Sequence, residues 1–239
     1  MHPRAGGPPA VVENFVRETN KLGHKSSILS TALFCDGDER ALLQRLNQLA
    51  PTTFLSQFGA LISLSGRARR QFGESVRNAD LIHLHTLWSP LNIVARWECK
   101  RNRRPYVLMP HGMLDPYSLS VNRWRKAFYL RAIESKTISA AERLIYTTVE
   151  EQRLAATQLA FMPTGIVIPL GGDAPAESSA SLASRFLERF PRARGRQQVL
   201  FLGRLHPKKG LDRILTILPA VVRAHPDVLL TIEIGRAHV

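Results

Sequence analysis

Residues 199–212 read Val199-Leu200-Phe201-Leu202-Gly203-Arg204-Leu205-His206-Pro207-Lys208-Lys209-Gly210-Leu211-Asp212, and this stretch decides the fold class. Four apolar residues end at Gly203, and a short basic turn then leads to Gly210. An apolar run closed by glycine reads as a buried strand. The apolar spacing that follows reads as a helix over 210–223, and 228–233 reads as the next strand. Strand, helix and strand in that order predict a parallel α/β unit. The turn also carries chemistry: Arg204 and Lys209 beside a helix N-terminus suit a diphosphate. No G-x-x-x-x-G-K-[ST] pattern occurs, so it is not a P-loop. A solvated basic turn is the plainer alternative.

Upstream, the same alternation repeats. Helices are expected over 8–22, 41–49, 61–76, 91–101, 123–134 and 150–158, and strands over 25–30, 52–55, 81–85, 106–109, 143–147 and 165–169. Residues 171–184 are small and polar and read as linker. The expected organisation is a first Rossmann-like domain over 1–170, a linker over 171–196 and the start of a second domain over 197–233. The first helix follows Gly6-Gly7-Pro8-Pro9 with no strand before it, so a first strand is expected to be missing. Residues 234–239 break the strand pattern and back-translate to an adapter-like nucleotide run, so an artefactual tail is expected there.

Composition narrows the class. The chain has 239 residues, 44% hydrophobic and 22% charged, which is globular and excludes disorder throughout. No apolar run reaches the length of a membrane span, and the N-terminus lacks the apolar core of a signal peptide. Two cysteines, Cys35 and Cys99, exclude a disulfide scaffold and a four-cysteine zinc site, and read as reduced thiols of a cytosolic protein. Lysine plus arginine number 33 against 19 acids, a net charge of +14 that favours an anionic partner. Solvated arginines inflated by codon composition are the alternative.

Three further segments hold candidate chemistry. Gly6 and Gly7 precede a helix start, where backbone can approach an anion. In Asp80-Leu81-Ile82-His83-Leu84-His85-Thr86-Leu87-Trp88 the two histidines share one face of a strand, near its carboxyl end. A metal would need a third ligand such as His111 or Asp115, and no metal is expected, since the pair lacks the spacing of a metal motif. Met109-Pro110-His111-Gly112-Met113-Leu114-Asp115-Pro116 places His111 after the next strand, where it can donate a hydrogen bond or exchange a proton. A turn histidine is the bland reading of that position.

In this order the segments resemble the family 4, or group 1, retaining glycosyltransferases of GT-B fold, in particular bacterial members that build exopolysaccharide or lipid-linked glycans. The carrying residues are Gly6-Gly7-Pro8, 80–88, 110–116, Val167-Ile168-Pro169-Leu170-Gly171-Gly172-Asp173 and 201–212. The resemblance implies an α/β protein of two Rossmann-like domains with parallel sheets, the second truncated, and an active site in the cleft. It implies transfer of a sugar from a UDP- or GDP-linked donor to a glycan or lipid-linked acceptor, with retention and without metal or cofactor. By match, Arg204, Lys209 and Gly7 would hold the donor diphosphate. His111 would be the catalytic histidine beside the donor sugar, and Gly6 and His85 would lie on the acceptor side. The interdomain turn departs from the family's Pro-Asn-Gly-Val-Asp at Leu170 and Gly172. The family's later Glu-x-x-x-x-x-x-x-Glu segment is absent, so this polypeptide alone is not expected to catalyse efficiently.

The resemblance also gives the basic surface a use, since many relatives work at the cytoplasmic membrane face. Arg96, Lys100, Arg101, Arg103 and Arg104 form one candidate lipid-facing set, and Arg123, Arg125, Lys126 and Arg131 another. The helix with Trp124, Phe128, Tyr129 and Leu130 is either interfacial or, as expected here, a core helix with a solvated face. Two other classes compete. A nucleic-acid-binding domain would use the charge, yet aromatics are 7% and do not interleave with basic residues, so no nucleic-acid partner is expected. A metal-dependent hydrolase would use His83, His85 and His111.

Overall fold

A computed structural model describes residues 7–31, 39–55, 57–58, 63–64, 66–159, 164–172 and 176–234. Gly6, Cys35, Asp173 and the expected tail residues 235–239 lie outside the described residues. The chain divides into two compact units, Met1–Gly171 and Gly172–Val239.

The first unit opens with α1 (Pro8–Lys21), β1 (Ile28–Thr31), α2 (Glu39–Asn47) and β2 (Thr52–Leu55). Prolines in the first turn of α1 cost no helical hydrogen bond, because those N–H groups have no intrahelical partner. β1 and β2 pair in parallel, Ile28 opposite Thr52. Val16, Ile28, Leu46 and Ala50 close a small core between these strands and helices. Two dipeptide strands, β3 (Gln57–Phe58) and β4 (Ser63–Leu64), pair antiparallel.

A four-stranded parallel sheet follows. Its strands are β5 (Ile82–His85), β6 (Tyr106–Met109), β7 (Arg143–Tyr146) and β8 (Gly165–Val167), in that spatial order. Around it run α3 (Gly66–Asn78), α4 (Pro90–Asn102), α5 (Pro116–Ser120), α6 (Arg123–Tyr129), a π-helical turn (Leu130–Glu134), α7 (Ser135–Ser139) and α8 (Val149–Ala156). Leu108, Leu144 and Tyr146 on the inner strands are wholly buried and anchor the larger core with Phe72, Val76 and Ile138. Burying each leucine of that kind stabilises the unit by roughly 1.5–3 kcal/mol. Strands buried on both faces read as apolar runs, which is why the sequence located them closely.

The second unit holds α9 (Ser179–Arg189), β9 (Gln197–Leu202), α10 (Leu211–Ala224) and β10 (Val228–Glu233), with β9 and β10 parallel. The presence of α9 corrects the reading of 171–196 as linker throughout. Ser178 caps the helix, accepting from the Ser181 N–H at 3.3 Å, and Arg185 pairs with Glu177 at 2.6 Å. A serine cap and an alanine-containing first turn satisfy a helix start. The small residues that suggest a linker are equally compatible with a capped helix.

Candidate functional site

The site is built at the carboxyl ends of β5 and β6, where open parallel sheets place ligands. His83 and His85 flank the buried Leu84 on β5 and therefore share a face. Their rings stack with centroids 4.1 Å apart, and Phe15 of α1 meets His83 edge-on at 4.8 Å. Met109 ends β6, and His111 then turns back toward β5. His85 Nδ1 lies 3.0 Å from His111 Nε2. The two strands are held in register at this end by Thr86 N–H donating to Met109 O at 2.9 Å.

Burial decides the charge state of this cluster. It lowers His83 to about 4 and His85 to about 2, and it lowers His111 as well. The neighbouring histidines add to the shift at His83 and His85, whereas the Glu151 carboxylate opposes it at His111. Three neutral imidazoles result at neutral pH. One of the pair His85 and His111 donates and the other accepts, so the tautomer of either fixes that of its partner.

Two glutamates, missed in the sequence, hold the loops that present these rings. His111 and Gly112 both take positive φ, 55° and 69°, a conformation that costs energy for histidine and is natural for glycine. Glu151 of α8 fixes this turn. Its Oε1 accepts from the Gly112 N–H at 2.6 Å, and its Oε2 accepts from the Thr147 N–H and hydroxyl, both at 2.7 Å. The spacing Thr148-x-x-Glu151 is that of a capping box, a signal that could have found it, and Thr148 does cap α8. Thr86 and Trp88 also take positive φ, 69° and 62°. The Trp88 N–H donates to Glu134 Oε1 at 2.7 Å. Glu134 is buried at the end of the π-helical turn, and burial raises its carboxyl to about 7. The sequence offered only a lone acid closing a stretch of cations and apolar residues.

The remaining expected residues fall elsewhere. Gly7 caps α1 with φ −68°, and a Cβ there would meet open space, so glycine is not sterically required at that position. Gly6 lies outside the described residues. Arg204 and Lys209 belong to the second unit, exposed on the turn between β9 and α10. The aliphatic chain of Lys209 runs beside Gly203, and Gly210 takes φ 69° to start α10. Among the described residues no three histidine, cysteine, aspartate or glutamate side chains could hold a metal ion together.

Residues 6–171 match the glycosyl transferase 4-like domain. The chain belongs to this family. The solved structure of Anabaena HepE in complex with UDP-glucose is similar with a TM-score of 0.64 at 18% identity, over 95% of this chain and 57% of that one. HepE in complex with UDP and glucose gives 0.63 at 18% identity, over 99% and 60%. That identity level establishes the fold, an α/β arrangement with parallel sheets of GT-B type. The chain spans less than two thirds of the length of HepE. No curated protein matches it in sequence. The family match ends at the boundary of the first unit, so it covers the histidine cluster and stops short of Arg204 and Lys209.

Proposed function

We propose that this glycosyl transferase 4-like chain serves a retaining transfer of a hexosyl group from a nucleotide-sugar donor to a glycan or lipid-linked acceptor in polysaccharide biosynthesis. The observation that carries the reading is the clamped His111, presented on a positive-φ turn after β6 and hydrogen-bonded to His85, within a domain of this family. A neutral histidine so fixed is suited to hydrogen-bond a sugar hydroxyl without introducing charge beside the reacting carbon. As the glycosidic bond breaks, negative charge grows on the leaving diphosphate, and Arg204 and Lys209 are the cations assigned to it. Gly7 is assigned to the donor diphosphate, and Gly6 and His85 to the acceptor side. HepE was solved with UDP-glucose and with UDP and glucose, which favours a UDP-linked donor over a GDP-linked one. No metal or cofactor is assigned a role. We place the protein in the cytoplasm, peripheral to the inner face of the plasma membrane. Among the described residues no helix is long and apolar enough to cross a membrane.

Thermal unfolding of the purified protein with UDP and with GDP tests this. Stabilisation by UDP that is lost in Arg204→Ala is the expected result. Absence of any nucleotide effect, or an Arg204→Ala protein stabilised as well as the parent, rejects the reading.

A further inference from the structure

Within the helical stretch from Pro116 to Glu134, one group of large apolar residues faces solvent, whereas Leu130 packs against the larger core. Trp124 is 78% exposed and Phe128 74%, and Tyr117 and Val121 are exposed as well. Trp124 and Phe128 are four residues apart on α6 and so lie on one helical face. Of the expected core helix over 123–134, Leu130 packs against the larger core and Glu134 is buried, whereas Trp124 and Phe128 on α6 stand in solvent, which corrects the reading for those two residues. Large aromatic side chains grouped in solvent mark an interaction surface rather than ordinary scatter.

The charge around them is one-sided. Arg123, Arg125, Lys126 and Arg131 lie between Pro116 and Ile133, and no acid does. Arg123 stacks its guanidinium 4.7 Å from the Trp124 ring centroid. Aromatic residues flanked by cations, with no acid to repel phosphate, are what a helix lying in a bilayer interface requires. The other basic face is built differently. On α4, the Trp97 ring has the Arg69 guanidinium 4.9 Å and the Arg101 guanidinium 5.2 Å from its centroid, and a cavity of about 450 Å³ opens between Arg96, Lys100, Arg104 and Tyr106. That face is charged but offers a single exposed aromatic ring, that of Trp97.

The surface is also mechanically joined to the histidine site. Lys126 Nζ donates to Ser118 O and stands 5.9 Å from the Trp88 ring, which packs 6.0 Å from Tyr129. The Ser118 hydroxyl donates to Gly112 O at 3.0 Å. A group held at α6 is therefore presented beside the loops that follow His85 and His111.

We propose that α5 and α6 form the docking surface for an anionic phospholipid bilayer, with Trp124 and Phe128 entering the headgroup–acyl boundary and the arginines meeting lipid phosphates. The proposal deepens the peripheral-membrane part of the function above and rests on it for its biological sense. It selects the second of the two basic sets as the lipid-facing one.

Co-sedimentation with vesicles of phosphatidylcholine, with and without phosphatidylglycerol, tests it. Binding is expected only with phosphatidylglycerol, and it should fall by about tenfold or more in Trp124→Ser/Phe128→Ser and in Arg123→Glu/Arg125→Glu. Arg69→Glu/Arg101→Glu on the α4 face should bind as the parent does. These side chains are exposed, so circular dichroism should show every variant folded. No binding to anionic vesicles overturns the proposal, as does loss confined to the α4-face variant. Capture of a soluble protein by α6 in place of vesicles overturns it in favour of a protein interface. The UDP stabilisation of the same samples is read separately. Vesicle binding without a UDP effect rejects the transferase reading alone, and a UDP effect without vesicle binding rejects the docking surface alone.

Discussion

His85 Nδ1 and His111 Nε2 sit 3.0 Å apart, joining the ends of β5 and β6 through a hydrogen bond between two half-buried neutral rings. Neither ring can take up a proton without placing charge where burial disfavours it. The first expectation concerns acid. Ordinary histidine titrates near 6.5, whereas folded His83 and His85 titrate at about 4 and about 2 and His111 is shifted the same way. Below pH 6.5 the unfolded chain therefore binds more protons than the folded one, and stability falls as pH falls. Glu134 acts in the opposite sense between about 4.5 and 7, because its folded carboxyl is the more basic. One glutamate does not offset the histidines, so urea midpoints should drop on acidification from pH 6.5 to 4, with a net loss up to about 1.4 kcal/mol per pH unit for each uncompensated proton. His83→Gln should flatten this limb, and an unchanged slope would refute the assignment.

Glu151 bridges three donors on two loops. Glu151→Ala leaves the Gly112 and Thr147 N–H groups without their carboxylate. A loss of about 2–4 kcal/mol in urea denaturation is expected, with Glu151→Gln recovering part of it through its amide oxygen. The Gln variant should also titrate His111 at a lower pH by NMR, since the charge that raises it is gone. A His111 titration unaltered by the Gln change would separate the two residues.

Glu134 is expected to tolerate Gln at acidic pH, because its own carboxyl is already protonated below about 7. Glu134→Leu instead orphans the Trp88 N–H and should cost about 1–3 kcal/mol. Equal penalties for Gln and Leu at pH 5 would mean that the hydrogen bond to Trp88 contributes nothing.

Gly165 on β8 stands against buried Tyr146. A Cβ built there comes within 2.6 Å of the tyrosine ring. Gly165→Ala should destabilise the unit by about 1–3 kcal/mol through overpacking, read as a lowered melting temperature. Gly7→Ala meets open space and should leave that temperature near its parent value.

Much of the sheet was legible because its strands are short apolar runs. Thr52–Leu55, Tyr106–Met109 and Val228–Glu233 have the bounds that composition alone indicated. The shared face of His83 and His85 followed from strand alternation, and the placement of His111 from its position after a strand. What stayed hidden depended on tertiary contact. The clamps of Glu134 and Glu151 join residues 46 and 39 positions apart, a separation that no local periodicity reports. The exposure of Trp124 and Phe128 was left undecided, since an apolar helical pattern suits a core face and an interfacial one alike until the packing is seen. Helix α9 was missed because serine and alanine serve linkers and capped helices alike.

The pairing of β1 with β2 in a sheet separate from β5 to β8, over its own small core, sets how the first unit breathes. Of the apolar residues in the larger core, α1, β1, α2 and β2 contribute only Leu55 and Leu29, so local opening of these elements leaves most of that core in place. Backbone amides of Leu29 and Ser30 should therefore exchange with deuterium well before those of Leu108 and Leu144. Because Phe15 rests on His83, each such opening uncovers one wall of the histidine stack.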